Sequence, residues 1–440
     1  MKLFGKRPSR EGRQQKTNQR SGRSIPAIRT GAPPAVEGRK AEAGGKAPSA
    51  WPEVTGPADA LMMGTVIALV AFGVVMVYSS SAVFAYQKYG SGQHFLIRQA
   101  IYAAFGLPLI VGLARVDYHR LRVLTYPFLV VTLILVLFTA TVLGKSGGGA
   151  TRWIALGPIS LQPSEFAKLA LVMWLAYSLA KKSERIKSFT IGFLPHLLMA
   201  SLLMVLCLRQ PDFGSAVMIG VITFVLLFTA GAKLGYILGV VVLSAPVVYY
   251  LIAGSEYRMK RITAFMEPFE HRFDIGYQVV ESLISFGAGG LGGVGLGDGR
   301  QKLFFLPEAH TDFIAAIVGE ELGFIGVAIL VAVFMLIVYR GFWIAFRAVD
   351  EYGSLLAVGI TVSIGVQALT NLGVALGRLP TKGLGLPFVS YGGSALVANC
   401  VAMGILLNIS RPRSKPERLP IDRGGSPARA VNAYPAGGAA

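Results

Sequence analysis

Ten mostly apolar runs follow one another between residues 60 and 409, each close to the roughly 20 residues that carry a helix across about 30 Å of hydrocarbon. They fall near 60–80, 97–114, 123–144, 163–180 and 190–208, then near 213–231, 235–253, 313–339, 354–376 and 386–409. With 53% apolar and 15% charged residues, the chain carries more apolar surface than a soluble fold of this length can hide. The expected fold class is therefore all-α, a polytopic membrane protein of about ten transmembrane helices. Its largest extracytoplasmic loop, about 254–312, joins spans 7 and 8.

The formal net charge of +19 would point a soluble protein toward nucleic acid. Here the cations sit in tails and short loops between apolar runs, a pattern that sets topology, so no nucleic-acid partner is expected. Residues 1–57 are rich in Arg, Lys, Gly, Pro and Ser and bury too little to fold, which predicts a disordered basic cytoplasmic tail. Residues 411–440 predict a second such tail, leaving 58–410 as the transmembrane domain. The Arg115/Arg120/Arg122 loop, the Lys181/Lys182/Arg185/Lys187 loop, Lys233, Arg340/Arg347 and Arg411/Arg413/Lys415 all fall on the face of the N-terminal tail. That face reads as cytoplasmic, with both termini inside. Cys207 and Cys400 lie in apolar runs and read as small apolar side chains.

With no large soluble domain, any chemistry must be built from helix ends and loops. In the long outer loop, Tyr277, Val280, Leu283 and Ile284 stand at helical spacing, which predicts an amphipathic helix lying in the membrane interface. Glycines at 287, 289, 290, 292, 293, 295, 297 and 299 follow, permitting a tight or re-entrant backbone whose N–H groups face an anion. Next, Pro307-Glu308-Ala309-His310-Thr311-Asp312-Phe313 puts two acids and a histidine where the chain re-enters the bilayer. Ionisable groups at that depth are costly and face a cavity in the bundle. Asp312 then reads either as a general base toward a sugar hydroxyl or as the cap of the helix beginning near 313.

Other polar residues mark span edges. Glu165 and Lys168 share a helix face at i, i+3 and read as an ion pair, and Asp212 reads as a helix cap. Pro387 and Gly392-Gly393 predict a break beside a cavity, with Ser390 between them. Arg152, Arg258, Lys260, Arg261, Arg300, Lys302, Arg378 and Lys382 share the outer face, where cations suit a pyrophosphate.

The segments RWIALGPISLQPSEFAK, QPDFGSA, YRMKRITAF, GVGLGDGRQKLFFLPEAHTDFIAAIVGEELG and LPTKGLGLPFVSYGGS together resemble the signatures of the SEDS (shape, elongation, division, sporulation) family of peptidoglycan glycosyltransferases. The resemblance spans roughly 58–410, and LPEAHTDF, GEELG and LPTKG look more like its division branch than its elongation branch. It implies polymerisation of lipid II into glycan strands outside the cytoplasmic membrane, at the division septum, with Asp312 at the family's essential aspartate. Arg152, Lys382, Arg258, Lys260 and Arg261 become candidates for binding the diphosphate, while Glu308, His310 and Ser390 become candidates for shaping the substrate site. The resemblance further implies a divalent cation, Mg²⁺ or Mn²⁺, and as partners a class B penicillin-binding transpeptidase, other divisome membrane proteins and membrane lipids. A lipid II flippase and a noncatalytic division scaffold are the alternatives. Asp298-Gly299, Arg378 and Gly385 depart from the usual pattern and touch loop detail only.

Overall fold

A computed structural model describes residues 54–141, 145–147, 150–156, 159–303 and 305–413. The two expected basic tails lie outside the described residues, apart from 54–57 and 411–413. The described helices are α1 (Ala60–Tyr89), α2 (His94–Arg115), α3 (Leu121–Thr141), α4 (Pro163–Lys181), α5 (Leu194–Arg209) and α6 (Phe213–Thr229). They continue with α7 (Leu234–Ala253), α8 (Glu256–Met266), α9 (Tyr277–Gly289), α10 (Ile314–Arg347), α11 (Glu351–Ala375) and α12 (Gly393–Ile409). A helix lies within each of the ten apolar runs, and α8 and α9 lie in the long connection. Seven described helical segments are long and apolar enough to cross a membrane. α6 and α12 are apolar but only 17 residues long, and α4 carries Glu165, Lys168 and Lys181.

The structure corrects the sequence expectation in two places and adds detail in a third. A small antiparallel sheet, β1 (Lys145–Gly147), β2 (Ala150–Leu156) and β3 (Ile159–Leu161), fills the connection between α3 and α4. The last span starts at Gly393 and not near 386, because Pro387 and the Gly392-Gly393 pair keep residues 386–392 out of helix. That irregular stretch is buried against α1, where a Cβ on Gly73 would lie 2.3 Å from the Phe388 carbonyl oxygen. Burial inside protein is what lets non-helical backbone exist at membrane depth. Finally, α9 packs into the bundle: Val279, Val280, Ser282 and Ser285 are buried, Ile284 is exposed, and Ser282 Oγ donates to Ala375 O at 2.6 Å.

Local chemistry sets the helix ends. Asp59 caps α1, accepting from Met62 N at 3.1 Å, and also accepts from Arg340 Nε at 2.9 Å. Asp212 caps α6 through Ser215 N at 3.1 Å, as its position suggests. α10 is two helices joined at Gly323, whose φ of 65° and ψ of −165° break the ladder. The freed amides of Phe324 and Ile325 turn to Gly290 O and Leu291 O at 2.9 and 3.1 Å. The glycine-rich loop thus meets α10 backbone to backbone. Its Gly293, Val294 and Gly295 amides go to Gly289 O, Glu320 O and Glu321 O at 2.8, 3.0 and 3.1 Å, so these three do not face an anion. Lys302, one of the expected outer cations, is buried against Glu321 (2.7 Å), Ser79 Oγ (3.2 Å) and Gly297 O (2.5 Å).

Of the seven long apolar segments α11 is the most enclosed and α7 the least: 72% of the most apolar window of α11 is buried inside the protein, against 6% for α7. At the far end of α10 from residue 312, Asp117 and Asp350 enclose His119, with Asp117 Oδ1 2.7 Å from Nδ1 and Asp350 Oδ2 3.5 Å from Nε2. Arg413 pairs with Asp117 at 3.1 Å, and Arg122 pairs with Asp350. The edges of the bundle meet there too: Val54 bridges Arg413, Thr55 N donates to Pro412 O at 2.8 Å, and Asp59 N donates to Ser410 Oγ at 3.0 Å.

Candidate functional site

Asp312 sits at the end of a tight turn in which the amides of Thr311, Asp312 and Phe313 all point to Glu308 O, at 3.1, 3.1 and 3.3 Å. Glu308 opens the turn at a φ of 55° and accepts from Thr311 Oγ1 at 2.9 Å. The residue preceding α10 is Phe313, and no side chain caps that helix, so the Asp312 carboxylate is not spent on capping. It is half-buried.

Two guanidiniums from distant parts of the sequence, Arg152 and Arg261, act on it, and two further cations, Lys382 and Arg258, gather at the Phe213 ring. A Cβ built on Gly383 would lie 3.4 Å from both Arg152 Nη1 and Asp312 Oδ2, so guanidinium and carboxylate flank the same glycine. Arg152 reaches this point from β2, held by the carbonyls of Gln210 (3.2 Å) and Pro211 and lying 4.0 Å from Asp212. Arg261, on α8, donates to Thr381 O at 2.8 Å. Lys382 Nζ lies 5.4 Å from the Phe213 ring centroid, and Arg258, which donates to Leu251 O at 2.7 Å, faces the same ring at 6.0 Å. Lys260 is not part of this arrangement: it is exposed and pairs with Glu256 at 2.8 Å on the surface of α8.

Burial pushes the Asp312 carboxyl up to about 7, and the Glu308 charge adds to that. Arg261 and Arg152 pull in the opposite direction and are outweighed, while Asp212 raises it further. Burial also holds the Lys382 ammonium below its usual range. A carboxyl poised near neutrality beside cations can both accept a proton and sit next to a developing anion.

His310 and Ser390 brace the site. The imidazole is buried among Phe95, Phe84 and Tyr391, with ring centroids 4.7, 5.7 and 5.7 Å away, and burial holds its pKa down. Its carbonyl accepts from Tyr391 N at 2.9 Å, joining the HTDF turn to the SYGGS segment. Ser390 Oγ accepts from Leu386 N at 2.7 Å. Arg300 and Arg378 are exposed. Deeper in the bundle, Lys168 and Glu165 form the expected buried pair at 2.9 Å, and Lys168 also donates to Gln367 at 3.2 Å.

Gln367 and Asn371, neither of which stands out in the sequence, are the polar residues of α11 closest to this chemistry. Asn371 Nδ2 donates to Asp312 O and Leu384 O, both at 2.8 Å, and Gln367 Nε2 donates to Gly385 O at 3.0 Å. The one available signal is two amides four apart in an apolar run, which places them on one helix face. Among the described residues no three His, Cys, Asp or Glu side chains converge as a metal site.

The sequence profile of the cell cycle protein family of FtsW, RodA and SpoVE matches residues 59–415. A probable peptidoglycan glycosyltransferase FtsW of Geobacter metallireducens is 47% identical over 353 residues, 80% of this chain and 94% of that protein. The protein of the same name from Coxiella burnetii is 44% identical over 356 residues, 80% of this chain and 96% of its own. Among solved structures, a chain from work on structural coordination of polymerization and crosslinking by a peptidoglycan synthase complex superposes with a TM-score of 0.68 at 29% identity, covering 80% of this chain and 97% of that one. The rod shape determining protein RodA of Thermus thermophilus gives a TM-score of 0.59, also at 29% identity, covering 80% of this chain and 96% of its own.

Proposed function

Because this chain belongs to the FtsW, RodA and SpoVE family of cell cycle proteins, we propose that it is a peptidoglycan glycosyltransferase that polymerises lipid II during cell division, with Asp312 as its general base. The observation that carries the reading is a single one. Asp312 is a half-buried carboxyl pushed up to about 7 and left free of any capping role, and it shares Gly383 with the Arg152 guanidinium.

In this reading Asp312 takes the proton from the 4-hydroxyl of the acceptor's N-acetylglucosamine. The oxygen so freed attacks the anomeric carbon of the growing chain as the bond to undecaprenyl pyrophosphate breaks. The diphosphate leaves with its negative charge, which Arg152, Lys382, Arg261 and Arg258 are placed to balance. Lys260 drops out of the set, being paired on the surface of α8. Since the base must be ionised, turnover rises with pH through about 7. Among the described residues the acids and histidines do not form an all-protein cage for Mg²⁺ or Mn²⁺. The proposed cation is one that arrives with the diphosphate, since Mg²⁺ commonly keeps waters and substrate phosphates as ligands.

The chain is a multi-pass membrane protein of the bacterial envelope. We assign both termini to the cytoplasm from the distribution of lysine and arginine over the loops. Septal placement, a class B penicillin-binding transpeptidase and further divisome membrane proteins follow from the relatives' names and from the likeness to a peptidoglycan synthase complex.

The test is purified protein with its transpeptidase partner, lipid II and Mg²⁺ or Mn²⁺, beside Asp312→Asn. The expected result is glycan from the unaltered protein and a loss of about 1,000-fold in the variant, within the range for removing a general base. Equal synthesis by the two proteins, or movement of lipid II across the bilayer without glycan, would overturn the assignment.

A further inference from the structure

Polar side chains aimed at backbone carbonyls inside an apolar bundle are costly unless the bonds they make are needed. α11 carries two of them one turn apart, on the face toward Asp312. Asn371 is 1% exposed, and its single amide nitrogen donates to the carbonyl of Asp312 and to that of Leu384, both at 2.8 Å. One turn earlier Gln367, 2% exposed, donates to the carbonyl of Gly385 at 3.0 Å and accepts from Lys168 at 3.2 Å. Ser390 then holds the same peptide from its other end, accepting from Leu386 N at 2.7 Å. Three successive residues, 384 to 386, are therefore each gripped by a side chain, and the same Asn371 amide grips the base's own peptide.

We propose that Asn371 is a positioning residue for glycosyl transfer: its amide nitrogen bridges the Asp312 and Leu384 carbonyls and fixes the register between the base-bearing turn and the loop that carries Lys382 and Gly383.

The geometry gives this bridge its consequence. Gly383 is the point where Arg152 Nη1 and Asp312 Oδ2 approach within 3.4 Å of one position, and Leu384 is its immediate neighbour. Lys382 lies one residue further back and is joined to Leu384 by a bond from Leu384 N to its own carbonyl at 3.0 Å. No regular secondary structure spans residues 382–386, so the spacing between the carboxylate and Lys382 is not set by a helix or a sheet. The α11 amides set it, and α11 is well placed to do so, with 72% of its most apolar window buried inside the protein. The arrangement has a cost, since Asn371 Oδ1 is buried without a partner. An amide is nevertheless required: leucine has no donor, and an ionised aspartate would set negative charge against two carbonyls. Gln367 extends the grip to the Lys168–Glu165 pair, whose ammonium and carboxylate are 2.9 Å apart.

This inference rests on the reading of Asp312 as the base, and the experiment keeps the two separable. Lipid II polymerisation by the complex with its transpeptidase is measured against pH for the unaltered protein, Asp312→Asn, Asn371→Leu and Asn371→Ala. Each rate is scaled to the folded fraction from size-exclusion chromatography. Activity surviving in Asp312→Asn sinks the base assignment itself. With that assignment standing, the Asn371 variants are expected to lose about 30-fold or more in kcat while KM for lipid II changes by less than about threefold, as misplacement of a reacting group does. Their pH–rate midpoint should also move down toward an ordinary carboxylate, because a released Asp312 gains water and burial is what raised it. Asn371→Ala, which only shortens the side chain, serves if the leucine variant does not fold. A purely structural Asn371 would lower the yield of folded protein and leave kcat and the midpoint of the remainder unchanged. That result overturns the proposal.

Discussion

Aspartates occupy both ends of α10, and their surroundings have opposite effects on them. Asp350, just beyond the C-terminal end, accepts from Tyr118 at 2.5 Å and from Gly353 N at 3.1 Å, faces His119 at 3.5 Å and pairs with Arg122. Burial pushes its pKa up, but the bonds from His119 and Tyr118 and the charges of His119 and Arg122 win, and the carboxyl is held below its usual range. Asp117 beside it follows the same pattern: burial raises it, and His119 and Arg413 bring it down. Asp312, at the other end, is also desolvated, yet the nearby guanidiniums do not offset this, and its pKa ends near 7. The difference lies in where the positive groups are spent. At Asp350 they are bonded to the acid itself, whereas Arg152 and Arg261 are tied to the carbonyls of Gln210, Pro211 and Thr381. A carboxylate with partners bonded directly to it serves as a structural anchor, and one with cations held close but bonded elsewhere keeps its lone pairs for a substrate.

The largest effect that bears on this contrast is on stability. Asp350→Ala strips Tyr118, His119 and Arg122 of a shared partner, and breaking a buried pair from one side costs about 3–5 kcal/mol. Thermal unfolding in detergent should show that loss while turnover per folded molecule stays within about twofold. A small change in melting would remove one side of the comparison. Arg152→Ala should do the reverse, lowering kcat/KM by about 100-fold, the scale for deleting one charge-stabilising donor, with a smaller change in melting than Asp350→Ala. Arg152→Lys should restore little of it, because a single ammonium cannot make the same set of bonds.

The mildest probe is pH. Asp312 has a raised pKa, so the folded protein keeps that proton up to about pH 7, and turnover should fall about fivefold between pH 7 and 6 and about tenfold per unit below that. Asp117 and Asp350 are depressed, so the stability they contribute is present above the unfolded value near 4 and is lost only as pH falls below it. Activity should thus disappear at a pH where melting is unaffected. Coincident loss of the two would show that the ends of α10 titrate together.

Much of this was readable from residue order. The ten apolar runs located the bundle helices because roughly 20 apolar residues have few alternatives in a bilayer. Asp312 stood out because ionisable side chains are rare where a chain re-enters hydrocarbon. The glycine-rich segment was less informative: glycine permits many backbones, and only the fold reveals that these amides meet Glu320 and Glu321 carbonyls and not a ligand. Arg261 and Lys260 are neighbours in sequence, but adjacent residues point about 100° apart on a helix. Until α8 is docked, nothing says which of them faces Thr381 and which faces solvent. Gln367 and Asn371 were hidden for a related reason, since an amide in an apolar run becomes meaningful only once the carbonyls opposite it are known. The β-sheet at 145–161 escaped because β1 and β3 are only three residues each, and β2, ATRWIAL, is seven long but does not alternate apolar with polar.

The clasp of residues 54–56 against 411–413 makes the bundle a closed circuit. Neither α1 nor α12 is a loose outer stave, and peeling either one away must first undo the bridge between Val54 and Arg413. Residues 54–56 and 411–413 are thereby held side by side, so paired reporters attached at those two stretches would sample a single location.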